Sequence, residues 1–399
     1  MHAFRAEVHA FCREHLPDAV REKTRLGLAL TRDESHAWES ALRDRGWLVP
    51  HWPERWGGTG WGPAQLAVFR DELALAHAPE ANGLTLDMIG PILIRFASPE
   101  QQQRFLPRIL SLEHRWCQGY SEPDAGSDLA SLRTRATRGT DREGRPCYVV
   151  EGSKIWTSQA HQSDWIFCLV RTDPEARKQQ GISFLLIDLK SPGIRIQPII
   201  GIHGFHLFNQ VFFDGVQVPL DQRVGEENQG WAIAKSLLEF ERLGLARVAE
   251  NRRRLAKARA LADTVLDGGQ PLIRRDTVRQ RLVALEVRLE ALAATVDRVR
   301  RRTEAGQGAG PETGMLKLVG SQLIQDIEDF CVDIAGPDSL ADERAAHAEL
   351  QAHAEAVARG RHPLAITASA RRFVSRGFTI AGGSSEIQHE LLAKQVLGL

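Results

Sequence analysis

The sequence has no excess of either charge: 51 lysines and arginines are matched by 51 aspartates and glutamates. Without a global field, composition gives no reason to expect nucleic acid or an anionic membrane as a partner. Nor do the cysteines form a chemical pattern. Cys12, Cys117, Cys147, Cys168 and Cys331 stand alone, with no C-x-x-C and no histidine at metal-ligand spacing. Neither a zinc site nor a disulfide scaffold is expected, and no metal of any kind. Isolated cysteines with apolar flanks fit a reducing compartment. No apolar run reaches the roughly 20 residues that span a bilayer. The start, M-H-A-F-R-A-E-V, reads as an amphipathic helix, without the basic end and apolar core of an export signal. The expected location is the cytoplasm. Also missing is a G-x-G-x-x-G segment after a strand, so a Rossmann nucleotide fold finds no support.

What is present is enough chain for two or three domains: 399 residues, 43% of them apolar. Three regimes follow one another. Residues 1–114 have helical periodicity, with Trp38, Leu42 and Trp47 in one stretch and Leu66, Phe69, Leu73 and Ala76 in another. The Gly- and Pro-rich segment Pro53–Pro63 separates the two, and Ser98-Pro99-Glu100 reads as the capped start of a helix over Pro99–Leu110. Residues 115–224 change to short apolar runs bounded by turn residues: Tyr148–Val150, Trp165–Val170, Ile182–Ile187, Val211–Phe213 and Val216–Val218. That pattern predicts a compact β-barrel or sandwich. Residues 225–399 return to helix, with long amphipathic stretches over Gln229–Ala262 and Thr277–Thr303. The expected architecture is α+β and multidomain: an N-terminal α-domain, a middle β-barrel domain and a C-terminal four-helix bundle. Arginines on the C-terminal helices are interleaved with acidic residues and read as solvated faces.

Five motifs then occur in a telling order. They are Cys117–Asp128 (C-Q-G-Y-S-E-P-D-A-G-S-D), Gly152–Ser158 (G-S-K-I-W-T-S), Phe208–Pro219 (F-N-Q-V-F-F-D-G-V-Q-V-P), Gly225-Glu226 with Gly230-Trp231 and Glu241-Arg242, and Ile380–Gln388 (I-A-G-G-S-S-E-I-Q). Each alone is weak. Together, over nearly the whole chain, they strongly resemble the acyl-CoA dehydrogenase family, in particular the bacterial branch with steroid side-chain and dicarboxylyl-CoA dehydrogenases.

The resemblance implies the same three-domain fold, usually in a tetramer, and FAD as cofactor. It implies an acyl-CoA thioester as substrate and an electron-transfer flavoprotein as electron acceptor. In the family a carboxylate removes the α-proton while the β-hydride goes to the flavin, chemistry that side chains alone cannot supply. Many members carry the base at the position of Gly382, where glycine cannot serve. A group resembling isovaleryl- and long-chain acyl-CoA dehydrogenases carries it on the first long C-terminal helix, at the position of Glu241. The reciprocal pair, glycine at 382 and glutamate at 241, is the pattern expected of a relocated base. Glu239 and Glu386 are the rival carboxylates. A helical glutamate taken without this context is usually solvated or ion-paired.

By the same resemblance Tyr120, Ser121, Trp156, Thr157 and Ser158 line the isoalloxazine ring, although Trp156 read alone is a core tryptophan on a strand. Ser127 matches a position on the coenzyme A side of the substrate, or is a simple turn serine. Arg242 matches an arginine beside the acyl site, or forms a structural ion pair. The Gly382 N–H is placed to donate to the thioester oxygen.

One departure stands out. The R-x-x-F-G segment with which a neighbouring subunit usually holds the FAD pyrophosphate is replaced here by Val265–Leu272 (V-L-D-G-G-Q-P-L), and the glycine-rich turn is reduced to Ala335–Asp338. Valine offers a phosphate nothing. Either a second, different dehydrogenase subunit supplies the grip in a hetero-oligomer, or Arg274, Arg275, Arg279 or Arg281 replaces it in a homo-oligomer. The heteromer is the favoured reading. Competing functions on the same fold are a non-catalytic partner subunit and an acyl-CoA oxidase or flavin monooxygenase.

Overall fold

A computed structural model describes residues 1–241, 246–307, 310, 313–340, 345–347 and 349–399; the side chains of residues 238–241, 304 and 345 lie outside that description. The N-terminal third is helical: α1 (His2–His15), α2 (Asp18–Leu26), α3 (Arg32–Asp44), α4 (Pro63–Leu75), α5 (Gly90–Phe96) and α6 (Pro99–Leu110). The predicted start of α6 is borne out in detail. The Ser98 hydroxyl accepts from the Gln101 amide, and the Gln101 side chain returns a bond to the Ser98 amide. Trp47 falls beyond its predicted helix, because α3 ends at Asp44 and Gly46 turns the chain at φ +76°.

The middle region is one eight-stranded sheet in the order β6-β7-β3-β2-β4-β5-β8, with β1 beside β4. Its strands are β1 (Trp116–Gly119), β2 (Arg135–Thr140), β3 (Pro146–Ser158), β4 (Trp165–Arg171), β5 (Ile182–Asp188), β6 (Ile194–Ile200), β7 (His206–Pro219) and β8 (Arg223–Val224). β1 and β2 run parallel to β4, and the other pairs are antiparallel. The sheet curls around a core to which β1, β2, β3, β4, β5 and β7 all contribute, including Cys117, Tyr148, Ile166, Leu185 and Val211. β4 is apolar from Trp165 to Val170, and β5 from Ile182 to Ile187 apart from buried Ser183, because both faces are covered. Ile166, Cys168 and Val170 enter the β-core, while Trp165, Phe167 and Leu169 pack on the N-terminal helices. β2, with Ala136 as its apolar side chain, does not show in the sequence, β6 has no fully buried position, and β7 joins the two runs that read as separate strands.

The C-terminal helices are α7 (Gly230–Glu241), α8 (Val248–Thr264), α9 (Asp276–Glu304), α10 (Thr313–Ala335), α11 (Leu350–Ala358), α12 (Ala368–Ser375) and α13 (Ser385–Leu392). The single helix expected over Gln229–Ala262 is two. Arg247 has φ +50°, which ends any continuous helix, and its guanidinium bonds Glu250 in the first turn of α8 at 2.8 Å. α8 starts close against α10, where Gly320 leaves no room for a Cβ: one built there would lie 2.4 Å from the Ala246 carbonyl oxygen. Asn251 closes the joint with a 3.0 Å bond to the Arg247 carbonyl. Buried charges also tie the bundle. Arg254 of α8 pairs with Glu250 and Glu328, and Arg371 of α12 reaches Glu328 at 3.1 Å. α7 stands apart from that bundle: Ile233, Ala234 and Leu237 belong to the core of the N-terminal helices and the sheet, and Ser236 accepts a 3.0 Å bond from Arg95 of α5.

Candidate active site

The site is built around an irregularity in β3. In the β3–β7 ladder Lys154 pairs with Val211 and Thr157 with Asn209, so Ile155 and Trp156 together oppose Gln210. Such a two-against-one bulge re-aims side chains. Trp156 takes a left-handed backbone, φ +59°, and the residue is 56% exposed, its ring held edge-on to Phe208 at 5.8 Å. The expectation of Trp156 as an ordinary core tryptophan is therefore not met. Next to it Thr157 is fully buried, yet its hydroxyl has no hydrogen-bond partner among the described residues. A buried, unsatisfied hydroxyl costs roughly 1–3 kcal/mol. Ser158, half-buried, ends the strand.

The segment after β1 is fastened to this bulge. The Ile155 amide donates to the Ser121 carbonyl at 2.9 Å. Lys154, with no exposed surface, donates to the Tyr120 carbonyl (3.1 Å) and the Glu122 carboxylate (2.7 Å). Glu122 also accepts from the amides of Arg133 (2.6 Å) and Thr134 (2.9 Å). Burial raises the pKa of Glu122, but the Lys154 charge and these donors outweigh it and hold the carboxyl below its ordinary value. The structure thus brings Tyr120, Ser121, Trp156, Thr157 and Ser158 into one neighbourhood. Lys154 and Glu122 lay inside the recognised motifs, but their pairing needed three dimensions. Ser127 is exposed, in the turn that leads to Leu129–Ser131.

The residues expected to perform the chemistry are placed less fully. Glu241 is the last residue of α7, and its side chain, like that of Glu239, lies outside the described residues, as does Arg242 altogether. Gly382 precedes α13 at φ +69°, with Gly383 at +87°. That gives Gly382 a backbone reason to be glycine, apart from leaving room for a carboxylate. Gly382→Ala should cost about 1–2 kcal/mol in conformation, read as a lower denaturant midpoint. The Gly383 carbonyl is held by buried Lys317 at 2.6 Å. The rival Glu386 is exposed, and its own amide and the Ser384 hydroxyl lower its pKa, which makes it a poorer base.

At the missing phosphate grip, Leu266–Asp267 and Gln270–Pro271 form a tight hairpin. Among the four arginines weighed as substitutes, Arg275 pairs with Asp267, Arg279 with Asp276, and Arg281 with Asp333 at 2.7 Å. Arg274 is exposed and forms no salt bridge among the described residues. The neighbourhood of the β3 bulge thus fits the expected flavin ring better than this hairpin fits the expected pyrophosphate. No cluster of three or more metal-ligating side chains occurs among the described residues, and no described helix is long and apolar enough to cross a membrane.

Three domain models of one family match the chain in order: the acyl-CoA dehydrogenase N-terminal domain over residues 1–113, the middle domain over 117–216 and the C-terminal domain over 228–397. The chain belongs to the acyl-CoA dehydrogenase family. It is accordingly an oxidoreductase of a flavin-dependent class. Similar proteins include acyl-CoA dehydrogenase IpdE1 of Mycobacterium tuberculosis, 36% identical over 377 residues that cover 92% of this chain and 88% of that one. Acyl-CoA dehydrogenase FadE34 of the same organism is 35% identical over 335 residues, 84% of this chain and 45% of that protein. Among solved structures, the Tcur3481-Tcur3483 steroid ACAD superposes with a TM-score of 0.83 at 29% identity, covering 99% of this chain and 96% of that one. The ChsE4-ChsE5 complex of Mycobacterium tuberculosis gives 0.79 at 27% identity, with 100% and 97% covered. The family and the three-part fold expected from the five motifs are borne out.

Proposed function

We propose that this chain dehydrogenates an acyl-CoA thioester to the 2,3-enoyl-CoA, using FAD, in an assembly with a second dehydrogenase chain. The observation that carries the reading is the bulge in β3, where a left-handed, exposed Trp156 stands beside the unpartnered hydroxyl of Thr157. Tyr120, Ser121, Trp156, Thr157 and Ser158 would hold the ring. When bound, the flavin supplies the acceptor for the β-hydride.

Glu241 takes the α-proton, at the end of a helix fixed to the N-terminal domain through Ser236 and Leu237. A carboxylate withdrawn from bulk water by bound substrate is a stronger base than one left in it. The Gly382 amide donates to the thioester oxygen as charge develops there. Ser127 lies toward coenzyme A and Arg242 toward the acyl group. Electrons leave to an electron-transfer flavoprotein, and the location is cytoplasmic. The steroid ACAD similarity makes bulky, ring-bearing acyl groups the first to assay.

The heteromer is supported by the carboxylate-bound state of three of the four candidate arginines and by neighbours whose names denote two-chain complexes. Its test is flavin content. Purified alone, the chain should carry well under one FAD per chain, and co-expression with a second dehydrogenase chain should raise that toward full occupancy of the shared sites. One FAD per chain in the isolated protein would eliminate the heteromer. A panel of acyl-CoA thioesters with an artificial electron acceptor then reads the substrate, and hydrogen peroxide released during turnover would mark an oxidase instead.

A further inference from the structure

Behind the bulge lies a polar cluster with no role in the chemistry described above. Asn209 in β7 has no exposed surface and faces Thr157 across the ladder. Its side chain meets the Thr157 carbonyl oxygen at 3.0 Å, and that contact decides which way the amide points: a carbonyl only accepts, so the Asn209 nitrogen faces it. The same nitrogen lies 3.2 Å from His161 Nδ1, and the Asn209 oxygen lies 2.7 Å from His206 Nε2. The network therefore makes His161 accept at Nδ1 and His206 donate from Nε2. The two imidazoles are exposed and stack on each other, with centroids 3.7 Å apart and planes 18° from parallel. Both N–H groups and the oxygen of the amide are thus engaged, and the amide is locked.

The purpose of such a lock follows from its neighbour. A non-glycine residue with φ near +60° is disfavoured by roughly 1–2 kcal/mol and relaxes unless both sides hold it. On one side of Trp156 the hold is the Ile155 amide on Ser121 and Lys154 on Tyr120. On the other side it is Asn209, gripping the carbonyl of Thr157. We propose that Asn209, locked by the stacked His161–His206 pair, is a positioning residue of the enzyme: it fixes the Thr157 peptide, and through it the direction of the exposed Trp156 ring toward the flavin. The inference rests on the flavin reading of this segment. Burial and the neighbouring His206 lower the pKa of His161, which keeps the accepting nitrogen free. A side chain that only stabilised the sheet would lower the melting temperature and leave the flavin's properties alone.

The test uses the flavin-loaded enzyme and three readouts: the visible absorption spectrum of the flavin, its midpoint potential, and kcat separately from KM. In Asn209→Leu, kcat should fall by about tenfold or more with KM little changed, as expected for misplacement without lost substrate contacts. The absorption maximum and the potential should both move. A variant that matches the wild type in spectrum, potential and kcat overturns the proposal. Should Asn209→Leu not fold, the exposed His206 gives the same answer. His206→Leu removes the donor to Asn209 and should show the same changes in smaller measure, whereas His206→Gln, whose amide can donate in its place, should restore wild-type behaviour. His206→Leu indistinguishable from wild type, or His206→Gln as impaired as His206→Leu, overturns it as well. A wild-type complex that binds no FAD at all would overturn the flavin reading and this inference with it, an outcome distinct from failure of the variants alone.

Discussion

Glu241→Gln should lower turnover by roughly a thousandfold or more while leaving flavin binding intact. The α-proton of a thioester is far less acidic than any side chain, so its removal needs a fixed, negatively charged acceptor, and general-base groups contribute about 10²–10⁴-fold. Glutamine keeps the shape and hydrogen-bonding reach of glutamate but cannot take the proton. The expected flavin contacts sit on β3 and on the segment after β1, whereas residue 241 ends α7. The substitution therefore separates proton abstraction from cofactor binding. Mixing the flavin-loaded variant with substrate anaerobically should leave the flavin absorbance unbleached over the time in which wild type bleaches fully. Glu386→Gln, by contrast, should bleach normally, since its carboxylate is exposed and stabilised as the anion by its own amide and Ser384. Normal bleaching by Glu241→Gln, or loss of it in Glu386→Gln, would move the base to another carboxylate.

The contrast between what the sequence displays and what only the fold reveals follows the physics of each element. Trp165–Val170 and Ile182–Ile187 are legible because both faces of β4 and β5 are buried, which favours near-continuous apolar runs. β6 is hard to read because Pro198 interrupts its alternation of isoleucines and, at the sheet edge, none of its positions is fully buried. The division of the helix over Gln229–Ala262 escapes periodicity because an arginine, not a glycine or proline, takes the left-handed position at 247. Within the site, motif order located Trp156 and Thr157, but the bulge that exposes one and buries the other arises from register with β7, which no local pattern encodes. The stacked histidines lie 45 positions apart (206 − 161) and met no motif for the same reason. Gly382 teaches the converse lesson: a glycine that resemblance explains by a displaced base also has a backbone conformation that calls for glycine.

The second large effect is expected at Lys154, a position without any chemical step of its own. Its ammonium has no exposed surface, and its nearest compensating charge is Glu122, which is itself 8% exposed. Lys154→Met keeps most of the volume but strands a buried carboxylate, and removing one partner of such a pair costs about 3–5 kcal/mol. Because the same ammonium holds the Tyr120 carbonyl, flavin content should fall together with stability. Adding Glu122→Gln should recover part of the loss, since the stranded charge is gone and the oxygen can still accept from a backbone amide. The pH dependence separates this account from a packing defect. In wild type Glu122 has a depressed folded pKa, so its contribution is present above the unfolded carboxylate value of about 4.3 and is lost as pH falls through the depressed value. In Lys154→Met, burial acts without the opposing charge and raises the folded pKa, so the folded state gains a proton before the unfolded state does. The stability gap between variant and wild type, measured by denaturant unfolding, should accordingly be widest near neutrality and narrow as the solution is acidified. A gap that stays constant from neutral pH down to the carboxylate range would mean that lost volume, not a stranded charge, accounts for the damage.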